Sequence, residues 1–119
     1  MSKVNSHKDL LVWQRSIDLV EIIYKVCQRL PNSEKWGLIS QMQRAAVSVP
    51  SNIAEGYGRQ ATGEYRHHLS IARGSLMELE TQLILTQRLS FIDLEEVNKI
   101  LNEINQLSSM LASLVSRLR

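Results

Sequence analysis

Four polar residues, Ser48, Asn52, Glu55 and Arg59, follow one another at steps of four, three and four. On a helix that spacing places them on neighbouring turns of one face. A hydroxyl, an amide, a carboxylate and a guanidinium on neighbouring turns make the most enzyme-like set in the chain. Nothing elsewhere extends the set. There is no nucleophile elbow, phosphate-binding loop or paired-carboxylate motif. His67 and His68 are adjacent, so on a helix their rings diverge by about 100° and cannot share one metal. Neither repeats four residues on with another His, Cys or Asp. Ser48, Asn52 and Glu55 are therefore expected to form a structural polar network tying a helix to its neighbours. No catalytic, cofactor-binding or metal-binding residue is expected, and the chain is not expected to be an enzyme.

A second chemistry lies in the cations that follow. Arg66 and Arg73 are one heptad apart on one helical face, Arg59 lies just before that helix, and His67 and His68 are beside it. Arg59, Arg66, His67 and Arg73 are the candidate nucleic-acid contacts. One copy presents only two or three such cations, which is weak. An oligomer repeats them, and affinity through phosphate contacts grows steeply with their number. Only Tyr57 and Tyr65 are near enough to stack on bases. The formal net charge is +2, too small to establish nucleic-acid binding by itself.

These residues need long elements to carry them. The chain has 119 residues, enough for one domain, with 44% hydrophobic and 22% charged residues but only 5 Gly and 2 Pro. So few turn formers imply long helices. Four are expected. The first runs from about Lys8 to Leu30, with Gln14, Asp18, Glu21, Lys25 and Gln28 as its solvent stripe. Pro31-Asn32-Ser33 stops it, and the second starts near Ser33, with Leu38, Met42, Ala45, Val49 and Ile53 facing inward and Gly56 and Gly58 at its end. The third is capped by Thr62 and buries Leu69, Ala72, Leu76, Leu79 and Leu83. Arg66, Arg73, Glu80 and Gln87 mark its exposed line, and Gly74-Ser75 allow a neighbour to approach closely. Asp93 caps the fourth, with Glu96 completing a capping box. Ile100, Ile104, Leu107, Leu111, Leu114 and Leu118 form a four-three seam along it. Four long helices with short connections predict an all-α, up-down-up-down four-helix bundle over residues 8–119, after a flexible N-terminus at 1–7. The first and fourth helices are apolar over wider arcs than one seam needs, which predicts a homo-oligomer.

Pro50 stands inside the second helix, where proline removes a hydrogen bond and clashes with the carbonyl four residues back, at about 3 kcal/mol. A helix kinked in the turn before Pro50 is expected, with the freed Ala46 carbonyl taken by Ser51, Asn52 or water. The single Cys27 lies in an apolar run and is expected as a buried free thiol. A lone cysteine, a polar N-terminus and the absence of any apolar run near ~18 residues point to a cytoplasmic protein without membrane contact.

Three groups of residues carry a family resemblance. They are Leu11-Val12-Trp13 with Leu30-Pro31 and Trp36-Gly37-Leu38; the run from Gln41 to Gly56; and the run from Leu69 to Leu79. Together they resemble the four-helix-bundle proteins encoded within intervening sequences of bacterial 23S ribosomal RNA genes. Trp36 stands where the family usually has a smaller aromatic, and Gln43 where a basic residue is common. The resemblance implies a left-handed bundle assembled into a ring-shaped homopentamer and associated with RNA. The chain is also similar to the accessory protein of diversity-generating retroelements, which binds nucleic acid and a reverse transcriptase. The alternative function is accordingly a protein-interaction scaffold or accessory subunit of a nucleic-acid enzyme.

Overall fold

The computed structural model describes residues 4–118. Its four main helices are α1 (Leu11–Cys27), α2 (Ser40–Tyr57), α3 (Thr62–Arg88) and α4 (Leu94–Arg117). Each packs on its sequence neighbours, and α1 closes against α4, so the four form an antiparallel cycle. The α2–α3 pair is the most extensively packed. The expected all-α four-helix bundle is the observed fold.

The helix ends differ from the sequence expectation, for local reasons. α1 starts three residues later than Lys8 because Ser6 and Asp9 first cap a separate 3-10 turn, His7–Asp9. Ser6 Oγ accepts from the Lys8 amide at 3.2 Å, and Asp9 accepts from the Ser6 amide at 3.3 Å. Leu10 is then extended and breaks the chain direction. α2 does not begin at Ser33. A 3-10 turn (Asn32–Glu34) and a π turn (Lys35–Ile39) precede it, and Gly37 lies outside helical dihedrals at φ −109, ψ −111. The cap in this segment is Glu34, whose carboxylate accepts from the Leu38 amide at 3.2 Å. Thr62 is the first residue of α3 and not its cap; the extended Ala61 holds that position without a side-chain bond. Asp93 caps α4 as expected, accepting from the Glu96 amide at 2.8 Å. Glu96 does not return the bond, because its carboxylate is engaged by the forked guanidinium of Arg29.

The core is the aliphatic stripe of each helix. Leu69, Ala72, Leu76, Leu79 and Leu83 of α3 are fully buried, as are Met42, Val49 and Ile53 of α2, while Leu38 is only half-buried. On α4, Val97, Ile100, Ile104, Leu107 and Leu111 are buried; Leu101, Met110, Leu114 and Val115 pack partly against the same core. Cys27 is buried, and that burial pushes its thiol up to about 11. Most of the wide apolar arcs of α1 and α4 are buried or half-buried in the bundle. Leu94 is the large apolar residue that α4 leaves exposed, whereas α1 exposes Leu11, Ile22 and Tyr24. α3, in contrast, exposes Ile71, Met77, Ile84 and Leu85. Two ion pairs tie this part of the chain to α4: Arg15 of α1 grips both oxygens of Glu103 at 2.7 and 3.1 Å, and Arg29, in the turn after α1, grips Glu96. Arg29 holds the Glu96 carboxyl below the usual carboxylate range, chiefly by hydrogen bonding. Where the chain enters and leaves the bundle, Leu10, Leu11 and Val12 line one groove with Met110, Ser113, Leu114 and Arg117.

Among the described residues no helix is long and apolar enough to cross a membrane.

Candidate functional site

The polar residues singled out in α2 meet a matching line on α3. Ser75 donates to Ser48 Oγ at 2.8 Å across the interface. Asn52 Nδ2 donates to the Ser48 carbonyl at 2.9 Å and to Ser48 Oγ at 3.0 Å. With Nδ2 fixed between two acceptors, Asn52 Oδ1 must point the other way, and it lies 3.0 Å from His68 Nδ1. His68 Nδ1 therefore carries the proton of that bond. Its Nε2 faces Glu55 Oε2 at 3.9 Å. Glu55 in turn accepts from Arg59 at 2.7 Å, and Arg59 also reaches Glu64 at 3.6 Å. The Arg59 hydrogen bond, helped by the charge of His68, holds the Glu55 carboxyl below its ordinary range; Arg59 is shifted up by the same contact.

The set is a seam between two helices. Ser48 and Asn52 are half-buried and Ser75 is buried. The hydroxyls of Ser48 and Ser75 and the amide of Asn52 are hydrogen-bonded to one another. Asn52 bonds the Ser48 carbonyl rather than the Ala46 carbonyl that Pro50 leaves without its helical donor. Pro50 itself is buried, and α2 runs through it. Beside it, Trp13, Ile17 and Val20 of α1 face Val47, Pro50 and Ala54 around a shallow groove.

Gly56 has a role the sequence reading did not assign. It lies within α2 and does not end it, and a Cβ there would sit 2.8 Å from His68 Cβ and 3.0 Å from Tyr65 Cδ1. Here α2 and α3 come too close to admit a side chain on α2. Gly74, expected to permit such an approach, has nothing within 4 Å of a would-be Cβ and is exposed. Its neighbour Ser75 does make the helix contact.

The candidate nucleic-acid residues divide into two groups. Arg66, His67 and Arg73 lie exposed on the outer side of α3, and neither arginine has an acidic partner among the described residues. Arg59 is already held by two glutamates. The expected exposed line fades along α3: Glu80 and Gln87 are half-buried. A strict heptad drifts by about 20° per repeat on a straight helix, which carries those two toward α4. His67 and His68 part company, with ring centroids 5.7 Å apart and planes at 66°. His68 turns inward to the seam while His67 faces solvent. The signal for His68 was available: His68, Ser75 and Gln82 recur at sevens beside the leucine stripe.

A cyclic antiparallel bundle with a hydrogen-bonded α2–α3 seam and an arginine line outside it defines a class of small helical-bundle proteins. The family model for the 23S rRNA-intervening sequence protein matches residues 8–113, and the chain belongs to that family. A solved structure from Bacteroides thetaiotaomicron, described as a protein of unknown function from the S23 ribosomal protein family, superposes with a TM-score of 0.82. It is 25% identical, and the match covers 88% of this chain and 98% of that one. None of the curated proteins matches.

Proposed function

We propose that this chain is a non-enzymatic helical bundle that assembles with copies of itself and holds RNA along the outer face of α3. The observation that carries the reading is the pair Arg66 and Arg73, exposed, one heptad apart and without acidic partners, while Arg15, Arg29 and Arg59 are held by glutamates. The family's tie to 23S rRNA supports RNA as the polyanion. Self-association is supported by the apolar side chains left exposed on α1 and α3, among them Leu11, Ile71, Met77 and Leu85. The resemblance carries the number of copies, five in a ring. A cytoplasmic location belongs to the same reading and rests on the lone reduced Cys27.

Salt dependence tests it. Each phosphate contact to a single strand contributes a slope of about −0.7 in log K against log salt, so two arginines on one copy give about −1.4 and a fully engaged five-copy ring about −7. Labelled RNA should be retarded in a gel at low salt and released steeply as salt rises. Arg66→Glu with Arg73→Glu should abolish retention while light scattering reports the same mass. No retention by the wild-type protein at low salt would end the RNA reading, and a monomer in light scattering would end the self-assembly part.

Met77 and Ile84, exposed beside the arginines, favour a second reading, a scaffold or accessory subunit for a nucleic-acid enzyme. Its mark is a protein complex that survives nuclease treatment.

A further inference from the structure

Trp36 is the most exposed large apolar side chain among the described residues, at 85%. The turn that carries it is held from both sides. The Glu34 carboxylate reaches over it to accept from the Leu38 amide at 3.2 Å. Gly37 lies outside helical dihedrals, and a Cβ there would press on Glu34 Oε1 at 2.9 Å. Lys35 Nζ stands 5.2 Å from the centroid of the Trp36 ring, a cation–π distance. One face of the indole thus has a cation over it, and the other is open to solvent. The aromatics nearer Arg66 and Arg73 are not free in this way. Tyr57 and Tyr65 are half-buried and packed edge to face, with ring centroids 6.1 Å apart.

The arginine line of α3 leads toward the same end of the bundle. Arg88 is exposed and, like Arg66 and Arg73, has no acidic partner among the described residues. At about 100° per residue the three lie within about 60° of one another around the helix, and they span about 33 Å along it. Thr86 meets Met42 across the α2–α3 interface at 3.6 Å, which fixes the level of the two helices. Arg88 follows Thr86 as the last residue of α3, and Trp36 stands in the turn before α2. Cations and an open indole face therefore succeed one another along the length of the bundle.

We propose that the RNA held by this chain is single-stranded and that Trp36 is the platform on which one of its bases stacks. The inference rests on the RNA reading above and adds the class of RNA and a contact that is not ionic. A base inside a duplex is already stacked on both faces, whereas an unpaired base can turn out onto an aromatic ring. Lys35, beside the ring, supplies a cation for the phosphate that the base brings with it. Every base has a π-face, so the contact selects unpaired nucleotides and not a sequence.

The test is fluorescence anisotropy on the full chain, with a labelled single-stranded RNA and with a duplex containing the same strand. The single strand should bind more tightly. Trp36→Ala should weaken it by about five- to 150-fold, the range for one base–aromatic stack, and leave the duplex affinity unchanged. Trp36→Phe should restore most of the loss. Neither variant should change the slope of log K against log salt or the mass in light scattering, whereas Arg88→Gln should flatten the slope by about 0.7 for each engaged copy. Trp13→Phe leaves Trp36 as the one tryptophan, and its emission should fall as the single strand binds, with the midpoint seen by anisotropy. If Trp13→Phe fails to fold, the Trp36 variants decide. No RNA binding by the wild type at low salt removes this inference together with the RNA reading. RNA binding that Trp36→Ala leaves intact, or equal affinity for single strand and duplex, overturns the stacking alone and leaves Trp36 to a protein partner. A lower mass for Trp36→Ala also overturns it, since the ring would then be a contact between copies.

Discussion

Two glycines in neighbouring helices should respond in opposite directions to the same substitution. Replacing Gly by Ala in a helix interior gains about 0.8–1.0 kcal/mol of intrinsic propensity. At Gly74 nothing lies within 4 Å of the new methyl, so Gly74→Ala should stabilise the protein by close to that full amount. At Gly56 the methyl would meet His68 Cβ at 2.8 Å, Tyr65 Cδ1 at 3.0 Å and the Tyr65 carbonyl at 3.2 Å. Two of these atoms are fixed to the α3 backbone and cannot rotate away. The helices must therefore part, and overpacking of this kind costs about 1–3 kcal/mol. It would also lengthen the 3.0 Å bond between His68 and Asn52. After the propensity gain is subtracted, Gly56→Ala should lose up to about 2 kcal/mol, so the two variants differ by about 1–3 kcal/mol. For 119 residues the entropy of unfolding converts 1 kcal/mol into about 4 °C of melting temperature. Urea and thermal unfolding at one fixed protein concentration measure both variants, since assembly would otherwise move the midpoint. Equal effects at the two sites, or a stabilised Gly56→Ala, would refute the assignment of Gly56 as a close α2–α3 contact that excludes a side chain.

Three further outcomes follow from local geometry. Ser90 ends α3 at φ 64, where the Ser90 amide bonds the Gln87 carbonyl and the Phe91 amide bonds Thr86, a Schellman arrangement that favours glycine; Ser90→Gly should raise stability by about 1 kcal/mol in urea titration. Cys27, buried and with its thiol pushed up to about 11, should react with an aromatic disulfide reagent at pH 8 only at the rate of unfolding, with full reaction in denaturant. Glu96 has a folded pKa lowered by Arg29, so its contribution is present above the unfolded value near 4.5 and lost as pH falls through the lowered one; Glu96→Gln should destabilise at pH 7 and flatten the stability profile below about pH 4.5.

The helical stripes were legible because their periods are long and clean. Leu69, Ala72, Leu76, Leu79 and Leu83 cannot be placed on one face of any element but a helix, and all five are in the core. The ends were less legible, since they are decided by which side chain reaches which amide. Ser6 and Asp9 close a separate turn before α1, and Glu34 caps a π turn before α2. Neither contact leaves a periodic trace. The α2 half of the seam was visible as Ser48, Asn52 and Glu55. Its α3 half, His68 and Ser75, was masked by the more conspicuous arginine heptad, Arg66 and Arg73, two positions before it. Gly56 and Gly74 are the same residue in the same kind of element, and only the position of the other helix separates their roles.

The groove shared by Leu10, Leu11, Ser113 and Arg117 means that the start of α1 and the end of α4 lie at the same end of the bundle. The antiparallel cycle is thus one short linker away from being seamless, and it has no privileged first helix. A circular permutant that joins the end of α4 to the start of α1 and opens between Gly58 and Ala61 would keep all four helices and the Arg15–Glu103 and Arg29–Glu96 ion pairs. It would, however, turn the tightest hairpin, α2–α3, into a contact between the two extremes of the chain. Comparing its folding rate with that of the parent would show whether assembly begins from that hairpin or from the packing of any neighbouring pair.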